Sequence, residues 1–283
     1  MIIKEFRVVM PLSVEEYQVG QLYSLAWRSI VKNEPFDNLP LLGEKYSEGQ
    51  YTYKKYHLAS KVPSFIRMLA PKGSMEIHEE AWNAYPYCRT VVTNPGYMKE
   101  NFIIKIESLH LADKGTMENV HELTPEKLKL REVVMIDVAN DAVASSDYKT
   151  SEDPCKFQSD KSGRGPLEGL KWQDQVEPVM TCYKLVTVEF KWLGLQTRGE
   201  SFIQRLSGGY SPTSTGMPKF LSCFIQLIII TYIIMICRQV FCWIDKWFDM
   251  TMEDIRELED KVREELDNQR TKGKVKGMRV DMD

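Results

Sequence analysis

The 283-residue sequence predicts an α+β fold, with a curved antiparallel sheet and long helices enclosing a cavity. Two observations carry this. Several segments alternate with period two, and in each an apolar row is joined or ended by polar side chains: Thr52 and Lys54, Cys88 and Thr90, Ser108, Lys184. The clearest helix signals are the reciprocal caps Ser13-x-x-Glu16 and Thr251-x-x-Asp254, which open helices near the two ends of the chain.

Ile2–Met10 reads as the first strand and stops at Pro11. The helix opened by Ser13 has an apolar stripe of Val14, Tyr17, Leu22 and Leu25, and Gln21 lies within it as an ordinary solvated glutamine or a site residue. Residues 27–49 carry turn signals at Asn33-Glu34-Pro35, Asn38, Pro40 and Gly43, so a loop with one short strand near 30–32 is expected. Residues 50–58 form a clearer strand, whose alternation places Lys54 beside Thr52, Tyr56 and Leu58. Residues 62–69 are apolar, either a short helix or an exposed loop.

The stretch AWNAYPYCRTVVT, residues 81–93, has the pattern of a buried aromatic turn feeding a strand. Asn83 within it either pins its own backbone or serves a partner, because a buried amide left unpaired costs about 1–3 kcal/mol. A turn at 94–96 leads to a strand over 102–109 with Phe102, Ile104, Ile106 and Ser108 on one face. Residues 111–130 are polar, with one short helix, and 133–138 form a strand. The Gly- and Pro-rich composition of 147–176 predicts a long surface loop, where Ser159 and Ser162 sit among Lys156, Lys161 and Arg164 as a basophilic kinase would read them.

YKLVTVEFKW, residues 183–192, is the most regular strand, and Lys184 shares its face with Val186, Val188, Phe190 and Trp192. A strand buried on one side ordinarily puts its lysine on the other. The apolar tip that begins at Trp192 and Leu193 is either core or a membrane-meeting surface. The segment 207–218 is a low-complexity insert, and 220–237 is an 18-residue uncharged run that reaches the length of a membrane span. In the final helix Ile255, Leu258, Val262 and Leu266 repeat at helical spacing. Glu259 falls on that face, at its edge or toward a buried partner.

Composition narrows the function. A net charge of −3 and a pI near 5.9 leave no electrostatic footprint for nucleic acid. Six scattered cysteines without a CxxC pair, and four histidines without ligand spacing, predict free thiols and no metal or other cofactor. The charged N-terminus does not read as a signal peptide, and no glycosylation sequon occurs, which favours the cytosol. The sequence offers no paired nucleophile and base, no glycine-rich phosphate loop and no useful carboxylate pair, so no catalytic residue is assigned and no enzyme is expected. Apolar rows with a polar, partly cationic end suit a molecule with two hydrocarbon tails and a phosphate-bearing head. Acyl chains want dry surface, at about 0.8 kcal/mol per buried methylene, and a phosphate wants Lys or hydroxyl donors.

EYQVGQLYS, GQYTYKKYHLASKVPSF, AWNAYPYCRT, SGRGPL, YKLVTVEFKW and CWIDKWFDMTMEDIR resemble the class I phosphatidylinositol transfer proteins over most of the chain. The resemblance implies a START-like helix-grip fold that encloses one phosphatidylinositol or phosphatidylcholine and carries it between membranes as a monomer. It implies a cytoplasmic protein that meets membranes transiently, with the Golgi or endoplasmic reticulum surface as possible sites. It also implies that Thr52, Lys54, Asn83 and Glu259 contact the inositol ring and that Gln21, Cys88, Thr90, Ser108 and Lys184 surround the phosphate or choline end. Trp192 and Leu193 fall at the membrane-docking tip, and Ser159 matches a regulatory phosphorylated serine, beside Asp160 where valine is usual.

Three features depart from the family pattern. Leu193 replaces a second docking tryptophan, the connection near 26–30 is shortened, and 206–236 replaces a charged amphipathic helix. The last is read as an alternative or mis-assembled exon in preference to a membrane anchor, the alternative function being a protein held in the membrane by 220–237. One lipid-transfer domain over 1–283 is expected: a binding core over 1–205 that includes the 147–176 loop, an apolar insert over 206–237, and a C-terminal helix and tail over 238–283.

Overall fold

The computed structural model describes residues 1–26, 30–39, 44–57, 73–190 and 219–272. Strand β1 (Ile2–Met10) leads into helix α1 (Val14–Ala26) through the predicted cap, in which the Ser13 amide donates to the Glu16 carboxylate at 2.8 Å and the Glu16 amide to Ser13 Oγ at 3.2 Å. There follow β2 (Lys32–Phe36), β3 (Gly49–His57), β4 (Glu76–Ala84), β5 (Tyr87–Asn94), β6 (Lys99–Leu111), helix α2 (Pro125–Leu130), β7 (Arg131–Ile136) and β8 (Met180–Phe190). Helices α3 (Lys219–Cys242), α4 (Ile244–Trp247) and α5 (Met252–Lys272) end the described chain. At the start of α5 the Thr251 amide donates to Asp254 at 2.7 Å and the Asp254 amide to Thr251 Oγ1 at 3.2 Å, as the sequence predicts.

The eight strands form one open, curved sheet in the order β2-β3-β4-β5-β6-β8-β1-β7. Neighbours are antiparallel except β1 and β7, which run parallel, so the expected antiparallel sheet acquires one parallel edge. Two strands correct the sequence reading. Asn33-Glu34-Pro35 lies within β2 and is not a turn, which the sheet edge allows because proline lacks only a donor that an edge need not supply. Residues 81–84 end β4 and 87–93 lie in β5, so the aromatic stretch is a hairpin and Asn83 sits on a strand.

One face of the sheet holds the core, where Phe6, Val8, Met10, Cys182, Val186 and Val188 share a buried cluster with Ile233, Ile234, Cys237, Val240 and Phe241 of α3. Helix α1 approaches α4 so closely that a Cβ at Gly20 would lie 2.7 Å from the Trp247 ring. On the opposite face, fully buried Glu5 receives Arg7 Nε at 2.7 Å and Arg131 Nη1 at 2.8 Å, so both carboxylate oxygens are matched.

The 147–176 connection is packed more closely than a surface loop: Leu167 and Trp172 join the core cluster, and Trp172 Nε1 donates to Asp137. The apolar run from 220 is helical and continues through 237 to Cys242, so α3 crosses the expected boundary between insert and C-terminal unit. Its second half is committed to the protein interior, with Cys237, Val240 and Phe241 fully buried and Arg238 Nε donating to the Val138 carbonyl at 2.7 Å. Among the described residues no helix is long and apolar enough to cross a membrane, and the anchored alternative is not favoured.

Candidate functional site

Cross-strand register gathers the predicted residues. Gln50, Asn83, Cys88, Ser108, Lys184 and Phe6 stand directly opposite one another from β3 to β1 and therefore share one face. Two residues along, Thr52, Ala81, Thr90, Ile106 and Val186 make the next row, and Lys54, Glu79, Val92, Ile104 and Val188 the one after. Seven of the nine predicted head-group residues thus lie on the face that also holds the core. Three strand spacings, about 14 Å, separate Asn83 from Lys184, so the two stand well apart along this face.

At the Asn83 end a cavity of about 820 Å³ opens between the sheet, α1 and α5, lined in part by Gln18, Leu22, Tyr46, Gln50, Asn83 and Arg256. Gly49 permits the approach of β3 to β4 here, since a Cβ at that position would lie 2.1 Å from the Asn83 carbonyl oxygen. Glu259 does not itself line this cavity; it accepts from Nη1 of Arg256, which does, at 2.7 Å, and its side chain is only 12 % exposed. Lys54 is 6 % exposed and meets Glu79, directly opposite, at 3.2 Å, while Tyr56 donates its hydroxyl to the other Glu79 oxygen at 3.0 Å. Thr52 is half-buried between Asn33 and Ala81.

The electrostatics of Cys88 tie the two ends together. Burial pushes its thiol up, whereas the Lys184 charge, hydrogen bonding with Thr90 and the Lys54 charge pull it down, and Glu79 pushes it up. Cys88 therefore feels both lysines, one from each end of the face. Ser108 is buried and Lys184 half-buried. Gln21 is half-buried on α1 one turn beyond Tyr17, whose ring lies 5.0 Å from that of His110.

Ser159 lies apart from this face. Only 2 % exposed, it donates its hydroxyl to Asp245 of α4, which also accepts the Asp160 and Lys161 amides at 3.1 Å. Burial raises the Asp245 pKa, but these donors outweigh it and hold the carboxyl below its ordinary value. The exposed serine expected in a Gly/Pro-rich loop is instead locked against a carboxylate. Trp192 and Leu193 lie outside the described residues, as do 27–29 of the shortened connection and 206–218 of the insert.

Sequence reasoning did not single out Glu79, Arg256, His110 or Asp245. Each is defined by what stands opposite it in the fold, and only His110, two residues beyond Ser108 on the same strand face, carried a local signal.

Comparison with known proteins agrees with this geometry. The family model described as phosphatidylinositol transfer protein matches residues 1–208 and 213–264. Proteins named phosphatidylinositol transfer protein beta isoform from Rattus norvegicus and Homo sapiens are each 50 % identical over 293 aligned residues, covering 98 % of this chain and 97 % of theirs. Phosphatidylinositol transfer protein 1 of Dictyostelium discoideum is 44 % identical over 278 residues, 94 % of both chains. With its helix-covered open sheet and a single polar-ended face, this chain belongs to the phosphatidylinositol transfer protein family.

Proposed function

We propose that the chain encloses one phospholipid between its sheet and helices and, as a monomer, carries phosphatidylinositol and phosphatidylcholine between membranes. The observation that carries this reading is the convergence of Thr52, Lys54, Asn83, Cys88, Thr90, Ser108 and Lys184 on one sheet face. Hydroxyl, amide and ammonium groups spread over the far part of an otherwise apolar wall bind a phosphate and a polyol while the wall takes the acyl chains. Thr52, Lys54, Asn83 and Glu259 read the inositol; Gln21, Cys88, Thr90, Ser108 and Lys184 hold the phosphate common to both lipids. The protein works as a carrier and alters no covalent bond. It acts from the cytoplasm and docks transiently on membranes through the tip at Trp192 and Leu193. Native mass spectrometry of the purified chain is expected to show one added phospholipid mass per monomer. A stably folded chain carrying no lipid would overturn the reading.

Regulation enters at Ser159. A phosphoryl group there adds a charge of about −1.5 to −2 against Asp245, so modification requires the connection to leave α4 and then keeps it away. Ser159→Glu is expected to speed limited proteolysis within 147–176 severalfold while Ser159→Ala does not; equal cleavage of the two variants would remove the switch.

A further inference from the structure

His110 ends the row that contains Ser108, on the same face of β6, and stands opposite Cys182, two residues before Lys184 on β8. Its backbone amide and its ring Nδ1 both lie within hydrogen-bond distance of the Pro86 carbonyl oxygen, at 3.1 and 2.8 Å. A carbonyl only accepts, so the ring proton is on Nδ1 and Nε2 carries a lone pair. The ring is held between Tyr17, centroid distance 5.0 Å, and Tyr85, stacked at 5.1 Å with a 12° interplanar angle. Only 1 % of the residue is exposed.

Three contacts thus fix the orientation of a ring whose Nε2 is buried and has no hydrogen-bond partner among the described residues. Such an orphan is destabilising unless something outside the chain satisfies it. Burial first, and then the charge of nearby Lys184, depress the imidazole pKa to about 3, so Nε2 stays a neutral acceptor at physiological pH.

A phosphodiester at neutral pH offers acceptors only, so it cannot bond directly to an acceptor nitrogen. One water can donate a proton to each. We propose that His110 is a positioning residue for the phosphate of the carried lipid, its Nε2 accepting one proton of an ordered water whose other proton goes to a phosphate oxygen. Lys184 supplies the charge at this end, and the water held by His110 supplies direction. The inference rests on the lipid-carrier reading. Because the phosphodiester is common to phosphatidylinositol and phosphatidylcholine, His110 acts on both lipids alike.

The test uses the full chain loaded with either lipid and released into phosphatidylcholine vesicles. His110→Asn keeps a donor near Pro86 and removes the acceptor; His110→Gln returns an amide to the Nε2 position. His110→Asn is expected to speed loss of both lipids about five- to tenfold with their ratio unchanged, and His110→Gln to recover at least half of the effect. In the unsubstituted chain the ¹⁵N resonance of His110 Nε2 should remain that of an unprotonated nitrogen and shift toward the hydrogen-bonded position on loading. Unchanged release from His110→Asn, no recovery in His110→Gln, or a resonance indifferent to loading overturns the assignment. Lys184→Gln separates the two levels: if it releases both lipids while His110→Asn does not, only the role of His110 falls. If neither lipid is bound or released differently in Lys184→Gln, the phosphate end itself is misplaced and the role of His110 falls with it, whereas only a folded chain that takes up neither lipid overturns the carrier reading.

Discussion

Asn83→Ala is expected to lower phosphatidylinositol transfer about ten- to a hundredfold while phosphatidylcholine transfer stays within about twofold. The side chain sits on β4 at the edge of the cavity shared with Gln50 and Arg256, at the opposite end of its row from Lys184. An amide offers two donors and an acceptor, which suits a ring of hydroxyls and has no counterpart to bind in a choline methyl cluster. The substitution leaves the backbone pairing with Gln50 and Cys88 in place, so the fold should melt within about 1 kcal/mol of the parent. Vesicle-to-vesicle transfer of the two lipids, measured in parallel, decides the matter. Equal losses would mean that Asn83 shapes the cavity without reading the inositol.

How much of this could be read from residues alone varies with what defines each feature. Strands β1, β3, β6 and β8 are legible as runs of strand-forming residues even though β1 and most of β8 are buried on both faces, and helices α1 and α5 announce themselves through caps that form as the sequence implies. Strand β4, EIHEEAWNA, has no such signal. Nearly all of it is half-buried and its inward row reads Ile77, Glu79, Ala81 and Asn83, so polarity does not separate its faces. Strand β2 hides behind its proline, which only an edge position tolerates.

The site follows the same division. Polar residues that interrupt apolar rows are visible along one strand, whereas Glu79 opposite Lys54, Arg256 beside Glu259 and Asp245 beneath Ser159 exist only through register and packing. The burial of Ser159 illustrates the limit. Its Gly/Pro-rich surroundings read as solvent-exposed, yet a carboxylate 86 residues away collects its hydroxyl and two neighbouring amides.

The second large effect concerns that hidden partner of Lys54. Glu79→Ala is expected to destabilise the chain by about 3–5 kcal/mol, because it leaves a buried ammonium without its carboxylate. Thermal unfolding should fall by roughly 5–8 °C on the entropy scaling for a chain of this length. Lys54→Met combined with Glu79→Leu removes both charges and should recover most of the loss, since apolar replacement of a whole buried pair is often neutral. The same double variant should still fail to transfer phosphatidylinositol, because the ammonium proposed to meet the ring is gone, while phosphatidylcholine transfer persists. Melting and transfer therefore separate the two roles of one lysine. A Glu79→Ala chain as stable as its parent would show that the Lys54 ammonium is solvated well enough without its carboxylate. The lysine would then need no holder, and its place at the inositol end would rest on the lipid alone.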